Sequence, residues 1–134
     1  MPAMSEQNVE TARRLAEATD RRDWALAAEH CWPDAEANAP EGWPEAGDAK
    51  GMLEIQRQFE RMQDTLDEPR FEESSIEALD EARVLQHGHW RGTGKGSGIE
   101  VDLEVWILYA FKDGKASRME FFIDRDKAMR AAGR

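Results

Sequence analysis

With one cysteine, Cys31, the chain has no internal disulfide available, so its stability must come from a packed core. It also lacks any run of about 18 apolar residues, the length a helix needs to cross a bilayer. The N-terminus has neither the basic region nor the apolar stretch of a secretory signal. Basic side chains are in the minority: 18 Lys and Arg stand against 28 Asp and Glu, for a formal charge of -10. Such a surface repels the phosphates of nucleic acid and anionic lipid, so neither nucleic acid nor membrane is expected as a partner. A soluble, cytoplasmic protein with a reduced core thiol is expected. No repeat or low-complexity tract divides the 134 residues, and one domain over 1–134 is expected. At that length a domain buries about two-thirds of its unfolded surface.

The strongest pattern present lies in Ile99 to Phe111. One side reads Val101, Leu103, Val105, Ile107, Tyr109 and Phe111, and the other reads Glu100, Asp102, Glu104, Trp106 and Leu108. A side-chain period of two with one wholly apolar face predicts a long strand covering a core. Phe71 to Leu79, Ala82 to Thr93 and Ala116 to Asp124 read as further strands, with Lys112-Asp113-Gly114-Lys115 as a tight hairpin turn. Before them, Ser5 caps a predicted helix to about Arg21, and Asp23 caps a second that carries Cys31 inward and stops near Trp32 because of Pro33. A short strand follows from Asp34 to Ala39, then a structured loop from Pro40 to Gly47. A third helix is expected after Asp48, with Met52, Ile55, Phe59, Met62 and Leu66 as its apolar stripe and Pro69 as its stop. A last helix, Arg125 to Ala132, has Asp124 as cap and Gly133 as stop. Early helices followed by hairpin-joined antiparallel strands predict an α+β fold: a curved antiparallel sheet wrapped around N-terminal helices as a cone with an apolar pocket.

The element order, with Asp23-Trp24, Trp32-Pro33-Asp34-Ala35-Glu36, Gly47 to Gly51, the glycine run Gly92 to Gly98, and Asp113-Gly114-Lys115 through Asp124-Arg125, resembles the SnoaL-like group. That group belongs to the nuclear transport factor two-like, or ketosteroid isomerase-like, superfamily, whose fold is cystatin-like. Nearly the whole chain is covered. Its nearest look-alikes are small bacterial proteins of unassigned function, and more distant ones include ketosteroid isomerase, limonene epoxide hydrolase and polyketide cyclases. The resemblance implies a cone with an apolar pocket and often a homodimer on the outer sheet face. It implies no single chemistry, because one fold hosts enzymes and binding modules alike.

Carried over position by position, the isomerase parts are missing. The general-base aspartate of ketosteroid isomerases falls at Ala39, their oxyanion tyrosine at Leu15 and their second oxyanion acid near Ile107, all aliphatic. The arginine and two aspartates of the hydrolase look-alikes fall at Gln86, Gly88 and Phe121. Asp124 is more simply a helix cap than a functional acid.

His87 and His89 share one strand face, and their role depends on parity. If Val84 and Trp90 face the core, both histidines and Arg91 face outward beside Asp102 and Glu104 as a cross-strand charge ladder. If the register slips by one, they point inward as metal ligands or as base and orienter. The ladder is favoured, since a metal site needs three or four convergent ligands and a histidine pair is a weak sign; neither a metal nor a cofactor is expected. The Gly92 to Gly98 run lacks the Gly-x-Gly-x-x-Gly order and precedes a strand, so it reads as a flexible hairpin rather than a phosphate loop.

The aromatics carry the remaining hint. Phe59, Met62, Trp90, Tyr109, Met119 and Phe121 can converge on the inner face, with Gln86, the Tyr109 hydroxyl and Asn38 as polar groups and Trp43 on a loop that covers the mouth in relatives. Ordinary core packing explains any one of them alone. Together they predict a site for a hydrophobic small molecule. Trp106, Leu108 and Phe122 form an outer apolar patch that a homodimer would bury. Three readings follow: a ligand-binding module without catalytic residues, an enzyme of isomerase, polyketide-cyclase-like or epoxide-hydrolase-like type, and a structural homodimer with a vestigial pocket. The first is preferred.

Overall fold

A computed structural model describes residues 3–39 and 47–134. The element order is α1 (Met4–Asp20), α2 (Trp24–Glu29), β1 (Cys31–Ala39), β2 (Gly47–Lys50), α3 (Met52–Gln63), β3 (Leu66–Ala78), β4 (Arg83–Gly94), β5 (Glu100–Lys112), β6 (Lys115–Phe122) and α4 (Arg125–Ala132). Trp43 and residues 40–46 of the expected loop lie outside the described residues.

The six strands form one curved, unclosed sheet in the order β2-β1-β6-β5-β4-β3. Consecutive strands from β3 to β6 pair as antiparallel hairpins, as the alternation predicts. The pairing of β1 with β6 is parallel, so the sheet is mixed rather than purely antiparallel. A register shift between Cys31 and Glu36 accommodates Pro33, which has no N–H to donate to the ladder.

Four local expectations change. Ser5 does not cap α1, whose N-cap is Ala3 without a side-chain bond. Helix α2 ends at Glu29 because Cys31 already pairs with Ala116, so the buried thiol is a strand residue rather than a helical one. Asp48 does not start α3; it pairs with Asn38 in the β1–β2 hairpin, and Gly51, at φ 84°, then turns the chain into the helix. Pro69 stops no helix, since α3 has ended at Gln63 and Leu66 opens β3. Proline is tolerated there because β3 is an edge strand, bulged between Asp67 and Arg70 with Glu68 at φ 52°. Asp23 and Asp124 cap their helices as expected, accepting from the backbone N–H groups of Leu26 and Lys127. Gly133 ends α4 in the left-handed conformation.

The core lies between the concave sheet face and helices α1 to α3. Ala12, Leu15 and Ala18 of α1 and Ile55 and Met62 of α3 meet Val84, Trp90, Val105, Ile107, Tyr109, Phe111, Met119 and Phe121 of the sheet. Burying a side chain such as Leu15 or Ile55 contributes about 1.5–3 kcal/mol each. On the convex face α4 lays Ala128 and Ala132 over Leu85, Trp106 and Leu108, with Phe122 and Met129 packed alongside. Trp106 and Leu108 are only 5% and 6% exposed, packed in this cluster with α4.

Candidate functional site

The parity of β4 and β5 follows the apolar pattern. Val84, Gln86, Gly88 and Trp90 face the helices, and the opposed β5 residues are Tyr109, Ile107, Val105 and Leu103. Two adjacent spaces open between this face and α1. The inner one holds about 40 Å³ and is lined by apolar side chains, among them Leu15, Phe59, Met62, Phe71, Trp90, Tyr109, Met119 and Phe121. The outer one holds about 270 Å³ and is lined by Arg13, Ala16, Glu17, Asp20, Phe71, Glu73 and Gln86. Ala16, Asp20 and Phe71 border both, so the apolar chamber and the charged mouth are adjacent.

The expected site residues therefore divide. Phe59, Trp90, Tyr109, Met119 and Phe121 meet around the chamber, with Phe59 edge-on to Phe121 at 5.6 Å between ring centres. Gln86 borders the mouth. Asn38 is not part of either space. Its neighbours Ala37 and Ala39 pack toward the core, and it bonds Asp48 (2.7 Å) and Arg118 (2.8 Å) on the exposed face.

A hydrogen-bond chain runs from the buried Tyr109 hydroxyl to the surface. The Tyr109 hydroxyl donates to Gln86 Oε1 at 2.7 Å, Gln86 Nε2 donates to Glu73 Oε1 at 3.2 Å, and Arg13 Nε reaches both Glu73 oxygens at 3.3 Å. Burial, with the charges of Cys31 and Glu73 adding, pushes the Tyr109 phenol well above its ordinary range, so it remains a neutral donor. The Cys31 thiol nearby is raised to about 12 by burial.

Asp20, absent from the sequence-based set, holds the boundary between the two spaces. Both carboxylate oxygens accept from the Phe71 N–H, at 3.0 and 2.9 Å. Burial raises its pKa above the ordinary aspartate value, only partly opposed by that hydrogen bond and by the charge of Arg70. As the last residue of α1, Asp20 carries no local signal of this role, since its partner is 51 positions away. Phe71 in turn rests on Gly88: a β-carbon there would come within 2.7 Å of its ring and 2.3 Å of the Glu72 carbonyl. The position matched to a hydrolase acid is thus occupied by a neighbouring aromatic ring.

On the convex face His87 Nε2 lies 2.8 Å from Glu104 Oε2 and His89 Nδ1 lies 2.6 Å from Asp102 Oδ1. The His87 ring stacks on Trp106 with centres 4.9 Å apart. The outward ladder is the arrangement adopted. The hydrogen bond from His89, with the nearby charge of Arg91, holds the Asp102 carboxyl below its usual range. Among the described residues no helix is long and apolar enough to cross a membrane.

A curved mixed sheet enclosing three helices around an apolar chamber defines an NTF2-like architecture. The family model described as SnoaL-like domain matches residues 12–119, and the chain belongs to that family. Bal32a, from a soil-derived mobile gene cassette, is similar at 24% identity and TM-score 0.82, covering 98% of this chain and 99% of its own. TerC, crystallised with polyporic acid, is similar at 21% identity and TM-score 0.77, covering 96% and 99%. A candidate SnoaL-like polyketide cyclase from Jannaschia sp. CCS1 is similar at 18% identity and TM-score 0.80, covering 98% and 95%. No curated protein matches the sequence.

Proposed function

We propose that this SnoaL-like domain binds a compact hydrophobic small molecule, its apolar end in the inner chamber and its polar end in the mouth beside Asp20 and Gln86. The observation that carries this reading is the adjacency of an apolar chamber and a charged mouth, which share Ala16, Asp20 and Phe71 as walls. Small-molecule sites commonly combine apolar walls with a few placed polar groups. The chamber alone, at about 40 Å³, is small for this role, which favours ligands of one ring or a short branched chain. Met62 and Met119 line it, and their unbranched side chains widen a site at low cost. TerC, of the same fold, was co-crystallised with polyporic acid, an observation in keeping with a small-molecule ligand for this chain.

A second reading, an enzyme of the polyketide-cyclase-like class, is favoured by one observation, the elevated pKa of Asp20 at the chamber boundary. A carboxyl held there passes protons to and from a ligand's hydroxyl or enol more readily at neutral pH than an ordinary aspartate. Isomerase and epoxide-hydrolase routes are disfavoured by Leu15, Ile107 and Ala39 and by Gln86, Gly88 and Phe121.

The test is ligand-observed NMR with a panel of phenols and small aromatic carboxylic acids, on the wild type and on Ala16→Leu. Leucine keeps helix propensity while adding bulk at a position that borders both spaces. Saturable binding to the wild type that Ala16→Leu removes supports the reading. No saturable binding across the panel refutes it and leaves the structural one. Turnover of a bound panel member that Asp20→Asn removes, with binding retained, selects the enzyme.

A further inference from the structure

The convex face carries a second cluster, on the other side of the sheet from the chamber. His87 and His89 occupy alternate positions of β4, and β5 places Glu104 directly opposite His89 and Asp102 opposite Arg91. Donor atoms of His87, His89 and Glu104 all lie within 4.8 Å of one another. A histidine pair alone is a weak sign of a metal; a third convergent ligand from the neighbouring strand supplies what the pair lacks. We propose that His87, His89 and Glu104 form a divalent-cation site on the convex face, that Zn²⁺ suits its donors, and that Asp102 is its orienting carboxylate.

Several features of the cluster fit this assignment. Two imidazoles and one carboxylate are the donor set of three-ligand zinc sites, which leave a coordination position for water or an exogenous donor. Zinc–ligand bonds of about 2.0–2.2 Å require the donors to adjust their spacing, the His87–Glu104 pair opening from 2.8 Å as the ion replaces their hydrogen bond, which rotation of partly exposed side chains accomplishes. Asp102 accepts from His89 Nδ1 and so leaves Nε2 with its lone pair, the carboxylate–histidine–metal arrangement that fixes tautomer and ring orientation. The ring of His87 is held against Trp106, which limits the freedom lost when it takes a ligand. Arg91, the neighbouring cation, is already paired with Glu72 at 2.7 Å and Asp102 at 3.5 Å. The histidine side chains are 24% and 29% exposed, so an ion reaches them from solvent without unfolding.

The experiment is isothermal titration of the tag-free, chelator-stripped protein with Zn²⁺ alone, alongside His87→Ala, His89→Ala, Glu104→Gln and Asp102→Asn. One ion per chain is expected, and each ligand substitution should weaken binding at least about tenfold, with Asp102→Asn weakening it about 10–100-fold. Thermal melts of the metal-free variants confirm that each is folded, and the isosteric Glu104→Gln and Asp102→Asn keep the test decisive should an alanine variant melt early. A second readout uses Cu²⁺, which should quench Trp106 emission in the wild type but not in His87→Ala. Absence of saturable Zn²⁺ binding, or wild-type affinity in the His87→Ala/His89→Ala double variant, overturns the proposal. Neither readout depends on the chamber or its ligand.

Discussion

Removing one oxygen from Tyr109 probes the buried polar chain that crosses the core. In Tyr109→Phe the ring keeps its place against Phe111, with centres 5.9 Å apart, so no cavity forms. What is lost is the 2.7 Å donation to Gln86 Oε1. Gln86 is 1% exposed, so water does not replace the missing donor. A buried acceptor stripped of its partner costs about 1–3 kcal/mol, and about 2 is expected here for a neutral pair. With a urea m-value of about 1–3 kcal/mol/M, the unfolding midpoint falls by about 1 M. The variant Tyr109→Phe/Gln86→Leu removes donor and acceptor together, so the double-mutant cycle should show a coupling of about 1 kcal/mol. Equilibrium urea unfolding followed by far-ultraviolet circular dichroism measures all four corners. A Tyr109→Phe midpoint equal to the wild type, or a cycle with no coupling, refutes the reasoning.

The Asp20 carboxyl is held above its ordinary pKa by burial, so as pH rises through the usual aspartate value the unfolded chain releases its proton first and folded stability declines until the raised value is passed. Asp20→Asn has no such decline; its stability relative to the wild type should improve across that window in urea unfolding, and a pH-independent difference contradicts the assignment. Cys31, with its thiol raised to about 12 and 2% exposed, should react with aromatic disulfides in mildly alkaline buffer only as fast as the chain opens, and immediate labelling of the native protein would contradict this. Asp124→Ala removes the cap on the Lys127 N–H and should cost about 1 kcal/mol. As a short terminal helix with only Ala128 and Ala132 buried, α4 should show hydrogen exchange before the sheet does, and uniform exchange would refute that.

Sequence alone carried much of this architecture because its signals are local. Period-two alternation set the faces of β4 and β5, and the Asp124 and Gly133 caps bounded α4. Non-local features were not legible. The parallel β1–β6 pairing joins Glu36 to Arg118, and no periodicity within either strand announces a parallel neighbour. Asp48 carried a helix-cap signal that hairpin pairing with Asn38 overrode. Trp106 and Leu108 read as an exposed patch because strand alternation cannot show that α4 folds back over them. The aromatic chamber was readable as a stripe, whereas Asp20, Phe71 and Glu73 became neighbours of it only through the packing of α1 on β3. Catalytic or binding groups supplied by the ends of distant elements leave no spacing to read.

The central claim is that the chamber and mouth form one ligand site. An amide and indole NMR titration of the ¹⁵N-labelled protein with phenol tests it most directly. Saturable shifts should concentrate at the Trp90 indole and at Phe71, Val105 and Ile107, and should vanish in Ala16→Leu. Shifts confined to the convex face, or none that saturate, would contradict it.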